Sequence, residues 1–196
     1  MEETKFKVEL IEIAGFVPAL KALRLPFGKE CRSNFDVEMK IYDANTPNEI
    51  SWSQIRENFT VDDNDRKLLS TLVKRGDEHA KVLRGVQVWL EIDAPRFLWQ
   101  ELDTYRIGVE KLSSESTMHM QGKGLSEDEL VAMKCALPEG TMQKRIVMFS
   151  YQALRRIWIQ RHNHRLPHWR AFCDFIKTLP FAEEFILVGL NEEENA

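Results

Sequence analysis

Val86-Gln87-Val88-Trp89-Leu90-Glu91-Ile92-Asp93-Ala94-Pro95-Arg96-Phe97 is the stretch on which the fold turns. Val86, Val88, Leu90 and Ile92 fall on one face of an extended chain, and Gln87, Trp89 and Glu91 on the other. That period of two predicts a strand with one buried face. Pro95 then opens a helix, where proline loses no hydrogen bond, and the helix is expected to run to about Arg106. Phe97, Leu98, Leu102 and Tyr105 give it a broad apolar face. Toward the N-terminus, Phe6 to Ile13 alternates in the same way and predicts another strand. Phe16 to Leu25 predicts a short helix, with Pro18 in its first turn and Phe16, Leu20 and Leu23 on one face. Pro26 to Asn58 is mixed and polar, with a turn signal at Asn45-Thr46-Pro47-Asn48, and predicts an extended loop or a small inserted hairpin. Asp62-Asp63 sit at the positive end of a helix expected to bury Leu68, Leu69, Leu72 and Val73, and Gly76 stops it.

Toward the C-terminus, Ser113-Ser114-Glu115-Ser116-Thr117 breaks the helical pattern and predicts a loop, continued by Gln121-Gly122-Lys123-Gly124. Ser126-Glu127-Asp128-Glu129 predicts the capped start of a short helix. Thr141 to about His162 predicts one long helix, apolar on most sides through Ile146, Val147, Phe149, Leu154, Ile157 and Trp158. Such a helix is buried centrally or lies at a subunit interface. Pro167 starts another, carrying Trp169, Phe172, Cys173 and Ile176, and Phe181 to Leu190 predicts a last one. Asn191 to Ala196 is an acidic tail expected to be disordered, which leaves residues 1–190 as a single domain.

With 196 residues, 43% of them apolar, the chain can bury a substantial core. Its 27 basic and 31 acidic residues leave a net charge of −4, which excludes a general polyanion binder. No apolar run reaches the roughly 18–20 residues of a membrane span, and the acidic start Met1-Glu2-Glu3-Thr4-Lys5 lacks a signal-peptide core. Cys31, Cys135 and Cys173 are odd in number and widely spaced, as in a reduced, cytoplasmic protein whose cysteines pack. The average charge hides a segregation. From Gly140 to Cys173 there is no acid, and Lys144, Arg145, Arg155, Arg156, Arg161, Arg165 and Arg170 all lie there. Arginine forks suit phosphate and carboxylate, so the segment is a candidate anion site. A solvated helix face paired with acids from elsewhere explains the same run. Nucleic-acid binding is disfavoured, because the segment is too apolar to be mostly surface.

Three constellations carry candidate chemistry. Arg106 precedes the hydroxyl-rich set Ser113, Ser114, Ser116, Thr117 and His119, whose hydroxyls and loop amides can ring a phosphate. Ser150 and Arg161 are expected on one face of the long helix, where Arg161 either snorkels to water or holds a partner. His162, His164 and His168 could ligate a metal, but Pro167 interrupts them and no acid or cysteine completes the set, so no metal is expected.

The order of elements resembles the flavin-dependent thymidylate synthases, also called the thymidylate synthase complementing protein family. The resemblance runs nearly end to end. Asp65-Arg66-Lys67-Leu68-Leu69 through Gly76-Asp77-Glu78-His79 is similar to a family helix and the turn that ends it. Val86 to Ile92, Ala94-Pro95-x-Phe97 and the helix to Arg106 are similar to the family's strand, Ala-Pro element and signature helix. Leu137-Pro138, followed by Arg161, keeps the spacing of its nucleotide-binding helix. The signature Arg-His-Arg-x-x-Ser-x-Asn-x-x-Ser-x-Arg, laid on Thr104 to Ser116, keeps Arg106 and Ser114. Thr104, Tyr105, Val109, Lys111 and Ser116 replace its other positions, Glu101 stands for a Gln, Lys134 for an Arg and Ser150 for an Asn.

The resemblance implies an α/β (α+β) fold, an antiparallel or mixed sheet with a helical bundle, assembled as a homotetramer. It implies a flavin-dependent methyl transfer to the pyrimidine nucleotide dUMP, with FAD as cofactor and, in an active enzyme, NADPH and methylenetetrahydrofolate. Arg106, Ser114 and Arg161 are then the catalytic candidates. Glu101, Ser114, Ser116, Lys134 and Arg161 would bind substrate, and His79, Thr104, Tyr105, Arg106, Ser150 and Arg165 the flavin. The alternative is an inactive homologue that keeps the phosphate pocket.

Overall fold

The computed structural model describes residues 6–31, 33–35 and 59–190. The expected acidic tail and most of the loop or hairpin expected between Pro26 and Asn58 lie outside them. The chain divides into two compact units, one gathering the residues up to Ala14 with Gln87–Ile176, the other Gly15–Val86 with the residues from Lys177 onward.

The first unit is built on a four-stranded antiparallel sheet. Its strands are β1 (Lys7–Ala14), β4 (Gln87–Pro95), β5 (Val109–Ser114) and β6 (Met142–Ser150), in the order β1-β4-β6-β5. The alternation anticipated around Val86 is realised in β4. Val88, Leu90, Ile92 and Ala94 are buried, while Gln87, Trp89, Glu91 and Asp93 are half-buried on the opposite face. Leu90 faces Val147 and Val88 faces Phe149 across the pair, so β4 and β6 share one core face. Farther along β6 the same face turns polar, as Arg145 lies opposite Ile92 and Gln143 opposite Ala94. β4 runs directly into α3 (Arg96–Leu102), whose Leu98, Trp99 and Leu102 are buried. The short α4 (Thr117–Gln121) and α5 (Glu127–Ala136) follow β5. A full capping box between Ser126 and Glu129 starts α5, as expected. The unit closes with α6 (Tyr151–Arg161) and the first turns of α7 (Pro167–Thr178), which buries the expected Trp169, Phe172, Cys173 and Ile176.

Three expectations are corrected here. The single helix from Thr141 to His162 is a strand followed by a helix. β6 lies between β4 and β5, and its Ile146 to Phe149 are apolar on both faces, so they lack the period of two that marks a strand. The break falls at Ser150, whose hydroxyl accepts the amide of Ala153 and caps α6. Ser150 and Arg161 therefore occupy opposite ends of α6, about 16 Å apart at about 1.5 Å per residue. The helix opened by Pro95 stops at Leu102, not Arg106. Gly108, at φ 75°, turns the chain into β5. Its amide plane is set by Ser150, whose N–H donates to the Gly108 carbonyl at 2.8 Å. The hydroxyl-rich stretch is not one loop. Ser113 and Ser114 are paired on β5, Ser116 caps α4 and Thr117 begins it.

The second unit holds α1 (Phe16–Arg24), the two-residue strands β2 (Asn34–Phe35) and β3 (Phe59–Thr60), which pair antiparallel, and α2 (Asp63–Lys74). Leu69 and Val73 of α2 are buried and Leu68 and Leu72 half-buried. Phe16 meets Phe181 and Phe185 edge-on, with ring centroids 5.3 and 5.6 Å away. The expected last helix over Phe181 to Leu190 is a single π-helical turn, Ala182–Ile186, because Phe181 takes a left-handed φ of 51° and Gly189 ends the run at φ 75°. Asp65 of α2 is fully buried. It accepts hydrogen bonds from Arg24 at 2.5 Å and from Ser33 at 2.6 Å (hydroxyl) and 2.8 Å (amide). The Cys31 thiol donates to the same carboxylate at 3.1 Å.

Candidate functional site

Two clusters in the first unit gather the chemistry. The first is a cleft of about 310 Å³ lined by Arg96, Thr117, Lys134, Leu137, Gln143 and Arg145. It opens where the core face of β6 changes from Val147 to Arg145 and Gln143. Arg145 is held firmly there. Its guanidinium lies 4.5 Å from the centre of the Trp99 ring, and it donates to Gln143 Oε1 at 2.9 and 3.1 Å and to Asp103 at 3.3 Å. Trp99 is fixed in turn, its indole N–H donating to the Gln143 carbonyl at 2.7 Å. Lys134, the last-turn cation of α5, donates to the Thr117 hydroxyl. Among the described residues no carboxylate pairs with Arg96 or Lys134. Asp103 serves two cations, since Lys111 also reaches it at 2.5 Å. The acids near the rim are turned to other work: Glu115 accepts the Lys144 amide and Glu139 the Gln100 side chain. None lines the cleft.

The second cluster surrounds Arg161 at the end of α6. Its Nε donates to the Tyr105 hydroxyl at 2.9 Å and its Nη1 to Glu101 at 3.1 Å, with His164 Nε2 2.8 Å from Nη1. The guanidinium lies over the Trp169 ring at 4.7 Å and near Tyr105 at 5.8 Å. Trp169 is buried and donates to Glu101 at 2.7 Å, so Glu101 holds both the cation and the ring beneath it. Arg161 Nη2 has no hydrogen-bond partner among the described residues.

The predicted residues thus fall into groups. Lys134 comes together with Thr117, and Glu101, Tyr105 and Arg161 come together with Trp169 and His164. Ser114 is exposed on β5 opposite Arg145, and Ser116 is half-buried as a cap. Of the flavin candidates, Ser150 is buried and spent as the cap of α6, Thr104 donates to the Glu101 carbonyl at 2.7 Å, and the Tyr105 hydroxyl lies between Arg161 and Gln160. Arg106, Arg165 and His79 are exposed. The three histidines do not gather. His162 stacks on Trp158 with centroids 4.3 Å apart, and His168 lies edge-on between Phe6 and Phe97, where burial pushes its pKa down. No cluster of metal-ligating residues is present among the described residues, and no described helix is long and apolar enough to cross a membrane.

Arg96, Gln143 and Arg145 line the cleft but were not among the individual site residues picked out from the sequence. The signal for Arg145 was present in the acid-free segment, but reading that segment as one helix hid which face it occupies. Trp169 was legible only as core, because its ring carries the guanidinium on one face while filling the interior with the rest.

Taken together, the antiparallel sheet, the α3 element after Ala94-Pro95 and the α6 helix ending in Arg161 make the fold that of the flavin-dependent thymidylate synthases. Among solved structures, the chain is similar to flavin-dependent thymidylate synthase ThyX from Helicobacter pylori complexed with FAD and dUMP, with a TM-score of 0.59, 15% identity, and 92% of this chain and 97% of that one covered. A second structure of that protein with FAD and dUMP gives 0.59, 14%, 92% and 96%. The UMP/dUMP methylase PolB from Streptomyces cacaoi, bound with 5-Br dUMP, gives 0.61, 13%, 98% and 96%. No protein-family model matches the sequence, and no curated protein matches it. The likeness at these identities is one of fold, and it bears out the architecture expected from the order of elements.

Proposed function

We propose that this chain is a divergent pyrimidine-nucleotide protein of the thymidylate synthase fold, with dUMP as the methyl acceptor. The observation that carries the reading is the fold itself, matched over nearly the whole chain by structures that hold dUMP or its 5-bromo analogue. The Arg161 cluster supports it. A guanidinium held by Glu101 and Tyr105 over the Trp169 ring, with Nη2 still free to donate, suits a flat ring that bears carbonyl oxygens. Arg161 and Lys134 would bind substrate, Ser114 lies exposed on β5 opposite Arg145 as a further candidate, and Arg106 and Arg165 are the exposed cations left for a second anionic ligand.

In the catalytic form of this reading FAD, NADPH and methylenetetrahydrofolate supply the redox and one-carbon chemistry, and the chain works as a homotetramer. Assembly is supported by α5, which buries no residue, and by the exposed Met118, Met120, Leu125 and Val131 around it. A second reading, a nucleotide binder without flavin chemistry, is favoured by the hydrogen bonds that already engage Ser150, Thr104 and Tyr105 within the chain. Purified protein mixed with FAD separates the two. The catalytic form retains flavin absorbance after gel filtration at a mass of four chains and releases tritium from 5-tritiated dUMP. The binder form stays colourless and releases none. Failure to bind dUMP at all overturns both.

A further inference from the structure

We infer that the cleft between α3, α5 and β6 is a phosphoanion site, and that Arg96 and Arg145, together with Lys134, hold the 5′-phosphate of the bound nucleotide. The argument begins with charge. Arg96, Lys134 and Arg145 line one cleft without a lining carboxylate, in a protein whose net charge is −4. Leaving two such cations unpaired beside a third is unfavourable unless a mobile anion joins them. Acids are abundant in the chain, yet Asp103 is shared between Arg145 and Lys111, and Glu115 and Glu139 are tied to the Lys144 amide and to Gln100.

The second line is preorganisation. Arg145 is locked by the Trp99 ring below it and by Gln143 and Asp103 at its edges, with its side chain only 19% exposed. A planar fork fixed in this way presents its remaining N–H groups at low entropic cost. Thr117 adds a hydroxyl that already accepts from Lys134. The volume of about 310 Å³ is at the small end of ligand pockets, enough for a phosphoryl group and part of a sugar but not for a dinucleotide.

The third line is the geometry of α3. At about 100° per residue, Arg96, Trp99 and Asp103 share one side of the helix and its end, while Glu101 and Leu98 point to another. The cleft and the Arg161 cluster are therefore on different faces of the same short helix. The two are therefore separate sites on this chain. The assignment as an anion site stands on the cleft alone, and the assignment to a nucleotide phosphate rests on the function proposed above.

Calorimetric titration of the full-length protein with dUMP, deoxyuridine and inorganic phosphate tests both. The wild type should bind dUMP more tightly than deoxyuridine, with inorganic phosphate competing against dUMP only. Arg96→Gln and Arg145→Gln should each weaken dUMP about tenfold or more and leave deoxyuridine unchanged. Arg96 has no side-chain partner among the described residues, so Arg96→Gln reports binding without a folding defect, and circular dichroism checks Arg145→Gln. dUMP binding that is unchanged in both variants overturns the cleft and leaves the proposed function intact. Inorganic phosphate binding that both variants lose, without any response to dUMP, keeps the anion site and overturns the nucleotide. Absence of binding by all three probes overturns both.

Discussion

Asp65 shows what one buried side chain contributes and how pH reports it. Burial pushes its carboxyl up, but the hydrogen bonds from Ser33, Cys31 and Arg24 outweigh that and hold its pKa at about 2, against 3.8 ordinarily. The group is depressed in the folded state, so its contribution is fully present above the unfolded value and is lost as the pH falls from there through about 2. The shift corresponds to about 2 kcal/mol. Denaturant unfolding followed between pH 6 and pH 2 should show that loss, and Asp65→Asn should flatten the acid limb while lowering stability at neutral pH by about 3 kcal/mol, because Arg24 is left buried without its counter-charge. An acid limb identical in both proteins contradicts this account of α2. The same reasoning ranks Cys31 as an inert thiol, since burial and the neighbouring carboxylate both raise its pKa.

At the scale of elements, the junction of β6 and α6 is the part of the fold most dependent on single residues. Ser150 caps α6, pairs with Gln87 on β4 and donates its amide to Gly108, and a Cβ at Gly108 would lie 2.3 Å from the Ser150 hydroxyl. Gly108→Ala therefore meets both an unfavourable φ of 75° and a steric clash. It should lower stability by about 1–3 kcal/mol, read as a drop in thermal midpoint; a midpoint equal to wild type would contradict the packing described. This junction is also where the sequence was hardest to read. β1 and β4 were legible because each has one solvated or half-solvated face and alternates. β6 was not, because Ile146-Val147-Met148-Phe149 is apolar at every position although only Val147 and Phe149 are fully buried, so no alternation marks it. The Ser126 cap and the apolar stripe of α7 were legible because capping and helical periodicity are local signals. The end of α3 at Leu102 was not, since Tyr105 continues the apolar spacing while its hydroxyl is drawn instead to Arg161, a partner 56 residues away.

For the whole molecule, the arrangement of cations decides between a structural and a functional reading of the acid-free segment. Lys144 is paired with Glu91 at 2.7 Å on the outer face of the sheet, as a solvated face would have it. Arg145 and Arg161 are not so neutralised. Each is laid over a buried tryptophan and shares a single carboxylate that also serves another donor. Two fixed guanidinium groups on different faces of one short helix remain as candidate ligand-binding groups. The candidate site was thus half visible in advance: Glu101, Lys134 and Arg161 by motif spacing, but not Arg96 and Arg145, whose juxtaposition needs the register of β6 against β4. The direct test is thermal unfolding of the wild type with dUMP and with deoxyuridine at equal concentration. Saturating dUMP, at about a hundred times its dissociation constant, should stabilise the protein by about 2.7 kcal/mol and deoxyuridine by clearly less. Melting curves that neither compound moves would contradict a pyrimidine-nucleotide site.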